Sequence, residues 1–187
     1  MGEQLGPDER QELLRAARRT LQEYLVSGKT PVVDPASARL LERGGAFVTL
    51  HKGRQLRGCI GTFEDSDPLL NTVQRMAVAA ATTDPRFPPV TADELDGLHI
   101  EISALSPLQE SSADAVQVGV HGIYVTRGFR RGVLLPQVAT ENGWDRETFL
   151  EHTCLKAGLE PDAWKDGGTR IELFTAQVFG EEPGRRG

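Results

Sequence analysis

Three stretches of the chain repeat apolar residues at the three- and four-residue spacing of an amphipathic helix. The first covers residues 7–27, starts with a proline that a first helical turn tolerates, and ends before Gly28. The second covers about 67–82. The third follows Asp145, whose side chain suits a helix N-cap, and ends near Gly158. The pattern therefore predicts three helices.

Alternating apolar and polar positions predict strands between these helices. Residues 46–50 and 55–60 flank a Lys-Gly-Arg turn, which is the pattern of a β-hairpin. Further alternation predicts strands at 98–103, 116–120, 123–125, 133–135 and 169–179. Residues 84–89 contain three prolines and cannot be helical, so we predict a rigid ordered loop there.

Strand pairs joined by turns, without regular βαβ alternation, predict an α+β fold with a mainly antiparallel sheet flanked by helices. The hairpin and the strand around Ile100 should share one sheet, with its apolar face covered by the first two helices. A chain of 187 residues fits a single domain spanning 1–187. Its core should run from about residue 7 to 180, and 181–187 are predicted to be a flexible tail.

Charge and composition exclude several classes of protein. The net charge of −6 disfavours nucleic-acid binding, because phosphate backbones are neutralised by Lys and Arg. No apolar run approaches the roughly 20 residues that span a bilayer. The two cysteines, Cys59 and Cys154, show neither a disulfide framework nor metal-type spacing, which is typical of a reducing compartment. We therefore expect a cytoplasmic protein, and the absence of metal and cofactor motifs predicts neither group.

The second hairpin strand carries the most informative segment. Its alternation places Arg57 and Cys59 on one side, about 6 to 7 Å apart, where the cation would favour the thiolate. Gly58 and Gly61 leave the backbone open to a ligand. The opposite side, predicted to face the core, carries Leu56, Gly58 and Ile60. The alternative is that Cys59 is a small buried hydrophobe, Arg57 a surface charge and the glycines a bulge.

Other candidate residues lie outside this strand. His121, between glycines, is the best placed histidine for a general base, and with Cys59 it would suit nucleophilic catalysis. Glu101 shares a strand face with His99 and Ser103, which is either an acid/base row or the exposed side of a half-covered sheet. Arg86, in the rigid loop, is a candidate for anion binding, with a surface salt bridge as the alternative.

A basic turn is predicted between the strands at 123–125 and 133–135. Arg127, Arg130 and Arg131 surround Gly128 and Phe129. This tip could contact a phosphate or an acidic partner, and a solvated turn is the alternative interpretation.

Several motifs together resemble the AMMECR domain family, also called AmmeMemoRadiSam system protein A. They are LRGCIGT at 56–62, DPRFPPV at 84–90, IEISALSP at 100–107, GVLLPQVA at 132–139 and GWD at 143–145. The resemblance covers about residues 46–180. It implies an AMMECR-type α+β fold with a larger and a smaller lobe and a cleft beside the RGCIG strand. It also implies association with Memo-type and radical S-adenosylmethionine proteins.

Two hypotheses about function follow. In the first, the protein is an accessory or partner component that binds a small molecule or a partner protein in the cleft beside the RGCIG strand. In the second, it is an enzyme that uses Cys59 as nucleophile or redox thiol, assisted by Arg57, with His121 as a further candidate. The resemblance names no reaction, so the sequence leaves open whether the protein is an enzyme.

Overall fold

The structure, a computed structural model, describes residues 4–63 and 66–181. The chain divides into two compact units. Unit 1 comprises residues 1–105 and 177–187, and unit 2 comprises residues 106–176. This division agrees with the larger and smaller lobes implied by the family resemblance.

Two of the predicted helices belong to unit 1. Helix α1 is Pro7–Ser27 and ends where Gly28 adopts the left-handed conformation, with φ of 69°. Helix α2 is Leu69–Thr82. Each buries one apolar face, because leucine, valine and alanine recur at helical spacing in both. Both predictions are confirmed, and α2 begins two residues later than expected.

Three antiparallel strands lie wholly within unit 1, as part of a larger sheet in which the third of them also pairs with the last strand of the chain. They are β1 (Ala46–Lys52), β2 (Gln55–Thr62) and β3 (Leu98–Leu105). Strand β1 lies in the centre, paired with β2 on one side and β3 on the other. The predicted hairpin and its shared sheet with the Ile100 strand are therefore confirmed.

One face of this sheet is apolar and packs under the two helices. The fully buried side chains on it are Val48, Leu50, Ile100 and Ile102. Leu56 does not join them and is 38% exposed, so its predicted place in the core is wrong. The register between β1 and β2 shifts there, from Gly58 opposite Leu50 to Leu56 opposite His51. This bulge moves Leu56 to the other face of the sheet.

Unit 2 has its own antiparallel strands and two helices. Strands β4 (Gln109–Glu110) and β5 (His121–Arg127) pair with β7 (Arg170–Gly180), of which residues 177–180 belong to unit 1. Strand β6 (Arg130–Leu134) pairs with β5. The helices are α3 (Pro136–Asn142) and α4 (Arg146–Lys156). Asp145 caps α4 as predicted, by accepting a hydrogen bond from the amide of Thr148.

Two details of unit 2 differ from the sequence-based prediction. The strand expected at 116–120 is a turn, in which the Gln117 carbonyl accepts hydrogen bonds from the amides of Val120 and His121. Gly119 has φ of 81°, which a strand does not allow. Helix α3 was not predicted, because seven residues are too few for a helical period to show. A separate apolar core, centred on Ile123, Phe149 and Leu150, holds the unit together.

The first residue of the predicted tail, Glu181, makes specific contacts in the structure. Glu181 is held by its carboxylate, which accepts hydrogen bonds from Arg18 and from the Ile100 amide, and by its own amide, which donates to the Ile100 carbonyl. The rest of the predicted tail, 182–187, lies outside the described residues.

Candidate functional site

Strand β2, which carries Cys59, stands at the edge of the unit 1 sheet. On that edge, the Cys59 amide donates a 2.8 Å hydrogen bond to the Asp84 carboxylate. The Cys59 carbonyl accepts a 3.2 Å hydrogen bond from the Arg86 guanidinium. The loop after α2 therefore occupies the main-chain groups of Cys59 that would otherwise be free to pair with another strand.

The side chain of Cys59 lies close to its neighbour on β1. Cys59 sits directly opposite Thr49, and the Thr49 hydroxyl donates a 3.3 Å hydrogen bond to the Cys59 sulfur. Since the Cys59 main-chain groups point away from β1, this is a non-hydrogen-bonded pair, in which facing side chains approach most closely. The thiol is partly exposed and is oriented by a hydroxyl group.

Asp84 and Arg86 form an ion pair beside the free edge of this strand. The two carboxylate oxygens of Asp84 accept hydrogen bonds of 2.9 and 2.7 Å from Arg86, and the Asp84 side chain is only 2% exposed. The Arg86 guanidinium, together with the Cys59 amide, holds the pKa of Asp84 well below its usual value, against the opposing effect of burial. The positive charge of Arg86 is therefore paired with a carboxylate of the same chain, although the Arg86 side chain is about half exposed.

Arg57 is paired in the same manner. It donates hydrogen bonds of 3.1 and 2.9 Å to the two carboxylate oxygens of Glu94, and two more to the carbonyls of Pro88 and Pro89. Arg57, followed by the Thr91 amide, lowers the pKa of Glu94 to about 2. The bulge leaves Arg57 without a directly opposite residue on β1, which interrupts the alternation on which its predicted placement beside Cys59 rested.

The two glycines of the RGCIG segment are explained by packing. A Cβ atom on Gly58 would lie 2.1 Å from the Ala80 carbonyl oxygen in α2. A Cβ atom on Gly61 would lie 2.2 Å from the ring of Phe47 on β1. The close approach predicted for these glycines is therefore made by the chain itself. Their role in ligand binding stays a prediction.

The face of the unit 1 sheet opposite the helices carries polar side chains, and we call it the polar face. The residues on it are Phe47, Thr49, His51, Leu56, Cys59, His99, Glu101 and Ser103. Cys59, Thr49 and Glu101 lie in one row across the three strands, so Cys59 and Glu101 are about 10 Å apart, or two strand spacings. In the next row the rings of His51 and His99 are 6.5 Å apart.

Glu101 differs from the other carboxylates near Cys59. It is partly exposed, and its carboxylate makes no hydrogen bond or ion pair with residues 4–63 or 66–181. Asp84 and Glu94 each hold an arginine. The polar face therefore offers one carboxylate that is available to a ligand, beside a hydroxyl and a thiol.

His121 belongs to unit 2, whereas Cys59 belongs to unit 1. The Nδ1 atom of His121 accepts a 3.2 Å hydrogen bond from the Gln117 amide within the same turn. This contact fixes the ring to its own backbone. The pairing of His121 with Cys59 stays a prediction.

Comparison with known proteins decides the family. The AMMECR1 family model matches residues 14–179. The chain belongs to the AMMECR1 family. It is 47% identical to a protein of Methanothermobacter thermautotrophicus over 186 residues, which cover 95% of this chain and 97% of that protein. It is 46% identical to a protein of Methanopyrus kandleri, over 97% of this chain and 93% of the relative.

A solved structure agrees with the fold of this AMMECR1 family member. The crystal structure of an uncharacterized protein from Pyrococcus horikoshii is 42% identical, covers 91% of this chain and 90% of its own, and superposes with a TM-score of 0.80. The family resemblance and the α+β fold are thereby confirmed. The comparisons establish an AMMECR1 family protein of uncharacterised function, and they assign no reaction, ligand or partner.

Sequence reasoning missed three residues that shape the site of this AMMECR1 family member: Thr49, Asp84 and Glu94. Thr49 could have been found from alternation, since it faces the same side as His51 in the first hairpin strand. Asp84 and Glu94 gave no such signal, because their partners Arg86 and Arg57 are recognised only once the loop is folded against β2.

Two other kinds of site are absent from the part of the chain that the structure describes. No group of three or more His, Cys, Asp or Glu side chains is arranged to hold a metal ion. No helix there has the length and apolar character to cross a membrane.

Proposed function

We propose that this AMMECR1 family protein is an accessory component that binds a small polar molecule on the polar face beside the RGCIG strand. One observation carries the proposal. Among the carboxylates around Cys59, Glu101 alone has no partner in the described residues, and it lies in line with Thr49 and Cys59. A positively charged amine is the ligand that complements this row, because an ammonium donates to carboxylate and hydroxyl oxygens.

The surrounding contacts support binding through preorganisation. The Cys59 backbone is fixed by Asp84 and Arg86, and the loop that fixes it is itself held by Arg57. A ligand that docks on such a strand loses little of its binding free energy to ordering the protein. We therefore expect a fixed platform instead of a surface that forms on binding.

The alternative function is an enzyme that uses the Cys59 thiol. The contact that favours it is the hydrogen bond from Thr49 to the sulfur, which orients the thiol. Two features count against it. Arg57, the cation predicted to favour the thiolate, is paired with the Glu94 carboxylate, and Arg86, the candidate for anion binding, is paired with Asp84. His121, the predicted base, is bonded to the backbone of its own turn. Accessory binding is therefore the better supported function.

Partner proteins belong to the same proposal. The family resemblance implies Memo-type and radical S-adenosylmethionine proteins as partners. An accessory role in such an assembly suits a chain that carries a ligand-binding face. Co-purification of the tagged chain with a purified Memo-type protein would support this part of the proposal, and the absence of a complex at micromolar concentrations would contradict it.

The binding claim is tested with a panel of small primary amines and amino acids, each matched by a neutral alcohol of similar size. We expect at least one amine to bind in isothermal titration calorimetry, while its alcohol counterpart does not. Glu101→Gln should weaken binding about tenfold or more, because a charge-assisted hydrogen bond is lost. Glu42→Gln is the matched control, since Glu42 is exposed in the same unit. Equal affinity in both variants would contradict the proposal.

A further inference from the structure

The turn between β5 and β6 presents an aromatic side chain to solvent. Only Gly128 and Phe129 separate the two strands, and Gly128 has φ of 61°, which a two-residue hairpin turn with glycine at its first position requires. Phe129 is fully exposed, at 103% of its reference area. The turn requires glycine at position 128 for its backbone conformation, but it does not require phenylalanine at position 129. The aromatic ring is therefore available for a contact outside this unit's own core.

The turn is also strongly basic. Residues 127–131 contain three arginines and no acidic residue, in a chain whose net charge is −6. Arg127 is paired with Asp166 at 2.7 Å, and Arg130 donates to the Gly158 carbonyl at 2.6 Å. Arg131 is exposed, and its guanidinium makes no hydrogen bond or ion pair within the part of the chain that the structure describes. The tip thus keeps unused cationic donors around the exposed ring.

The base of the hairpin is held in place. Besides the contacts of Arg127 and Arg130, Gly132 packs so closely on α4 that a Cβ atom there would lie 2.5 Å from the Thr153 carbonyl oxygen. The two arginines also border a cavity of about 670 Å³, which is lined as well by the acidic residues Glu160, Asp162 and Asp166. A partner would therefore meet a fixed projection, so that little ordering opposes binding, and an acidic segment would contact the tip and not this cavity.

From this arrangement we propose that the hairpin tip, residues 127–131, docks onto an acidic segment of a protein partner, with Phe129 inserted into an apolar depression rimmed by Asp and Glu. Aromatic residues and arginine are the side chains that most often dominate interface energetics. Arginine also pairs with carboxylates through two parallel hydrogen bonds. A free phosphate ion would use the arginines and leave the ring without a contact.

An anionic membrane surface fits the same chemistry less well. A single phenylalanine inserts little apolar area into a bilayer, and lipid binding of this type requires a broad apolar face or a second anchor. The acidic protein segment is therefore the favoured occupant, and the membrane is an outcome that the test distinguishes.

The test begins with a phage-displayed random peptide library selected on the wild-type chain. We expect the selected peptides to share acidic residues around an apolar one. Synthetic copies should bind in fluorescence anisotropy, and Phe129→Ala and Arg131→Glu should each lower their affinity about tenfold or more. Val32→Ala and Arg15→Glu are matched controls on exposed residues of unit 1, and should leave the affinity unchanged.

Three results would overturn the proposal. The first is a selection without an acidic and apolar consensus. The second is a consensus peptide that binds Phe129→Ala as tightly as wild type. The third is a tip that binds vesicles of phosphatidylcholine and phosphatidylserine, in a Phe129-dependent manner, but binds no peptide. Glu101→Gln does not alter the tip, so this variant should bind the peptide as tightly as wild type even though it binds the amine weakly. Failure of the docking proposal and failure of the amine-binding proposal can therefore be told apart.

Discussion

The amide of Cys59 donates a 2.8 Å hydrogen bond to the buried carboxylate of Asp84. This bond joins the edge strand of unit 1 to the proline-containing loop that follows α2. Arg86 completes the junction, because it binds the same carboxylate and the carbonyl of Cys59. The position of the thiol on the polar face therefore depends on a charge pair at the edge of the sheet.

Asp84→Asn should destabilise the protein by about 2–3 kcal/mol, because hydrogen bonds to a charged acceptor are lost and the Arg86 cation is left without its partner. Asp34→Asn is the control, since Asp34 is exposed in unit 1, and its cost should stay within about 0.5 kcal/mol. Equilibrium denaturation in urea measures both. Equal midpoints for the two variants would show that the junction does not stabilise the fold.

The lowered pKa of Glu94 predicts that the folded protein loses stability in acid. Its pKa is lowered from 4.5 to about 2, so the ionised form stabilises the folded protein above pH 4.5, and this contribution is lost as the pH falls towards 2. Glu94→Gln resembles the protonated state. The free energy of unfolding of wild type should therefore exceed that of the variant at pH 6, and the difference should shrink as the pH is lowered to about 2. A difference that stays constant over this range would refute the assignment.

Gly58→Ala should be strongly destabilising, because its Cβ atom would meet the Ala80 carbonyl oxygen at 2.1 Å and α2 would have to move. Overpacking of this kind costs about 1–3 kcal/mol. Gly97→Ala is a matched control with open space around the new atom, and it should be neutral to slightly stabilising. Thermal unfolding of the two variants, followed by circular dichroism, should separate them clearly. Similar melting temperatures would mean that packing does not explain Gly58.

The two thiols should differ in reactivity. Cys154 is fully buried in α4, and burial raises the pKa of its thiol, so two effects protect it from alkylation. Cys59 is partly exposed on the polar face. In native buffer, iodoacetamide should modify Cys59 well before Cys154, as read from peptide masses, and denaturant should abolish the difference. Modification of both thiols only in denaturant would place Cys59 in the interior.

Periodicity predicted the helices and strands well where they were long and regular. Helix α1 is found at Pro7–Ser27 as expected, because its apolar residues from Leu13 to Leu25 keep the helical spacing and a left-handed Gly28 ends it. Leu56 was misplaced because a bulge changes the face of a strand without changing its alternation. The prediction of a strand at 116–120 was wrong for a similar reason, because the turn at Gly119 interrupts an alternating valine pattern.

The candidate site was predictable only in part. The motif drew attention to Arg57, Cys59 and Arg86, and the structure shows that the loop after α2 contacts β2 through these residues. Their role as a site stays a prediction. It could not show that both cations are neutralised, because Glu94 is 37 positions from Arg57 and only folding brings them together. The unpaired state of Glu101 is likewise a property of the folded protein, since a carboxylate's partners are read from space and not from sequence.

The most direct test of the binding proposal is protection of the Cys59 thiol. The rate of iodoacetamide modification would be measured with and without the amine that binds best, for wild type, Glu101→Gln and Glu42→Gln, with Cys154 as the internal reference for an intact fold. We predict that the amine slows modification of Cys59 in wild type and Glu42→Gln, and that it has little effect at the same concentration in Glu101→Gln. Unchanged modification of Cys59 in wild type saturated with the amine would contradict binding on the polar face.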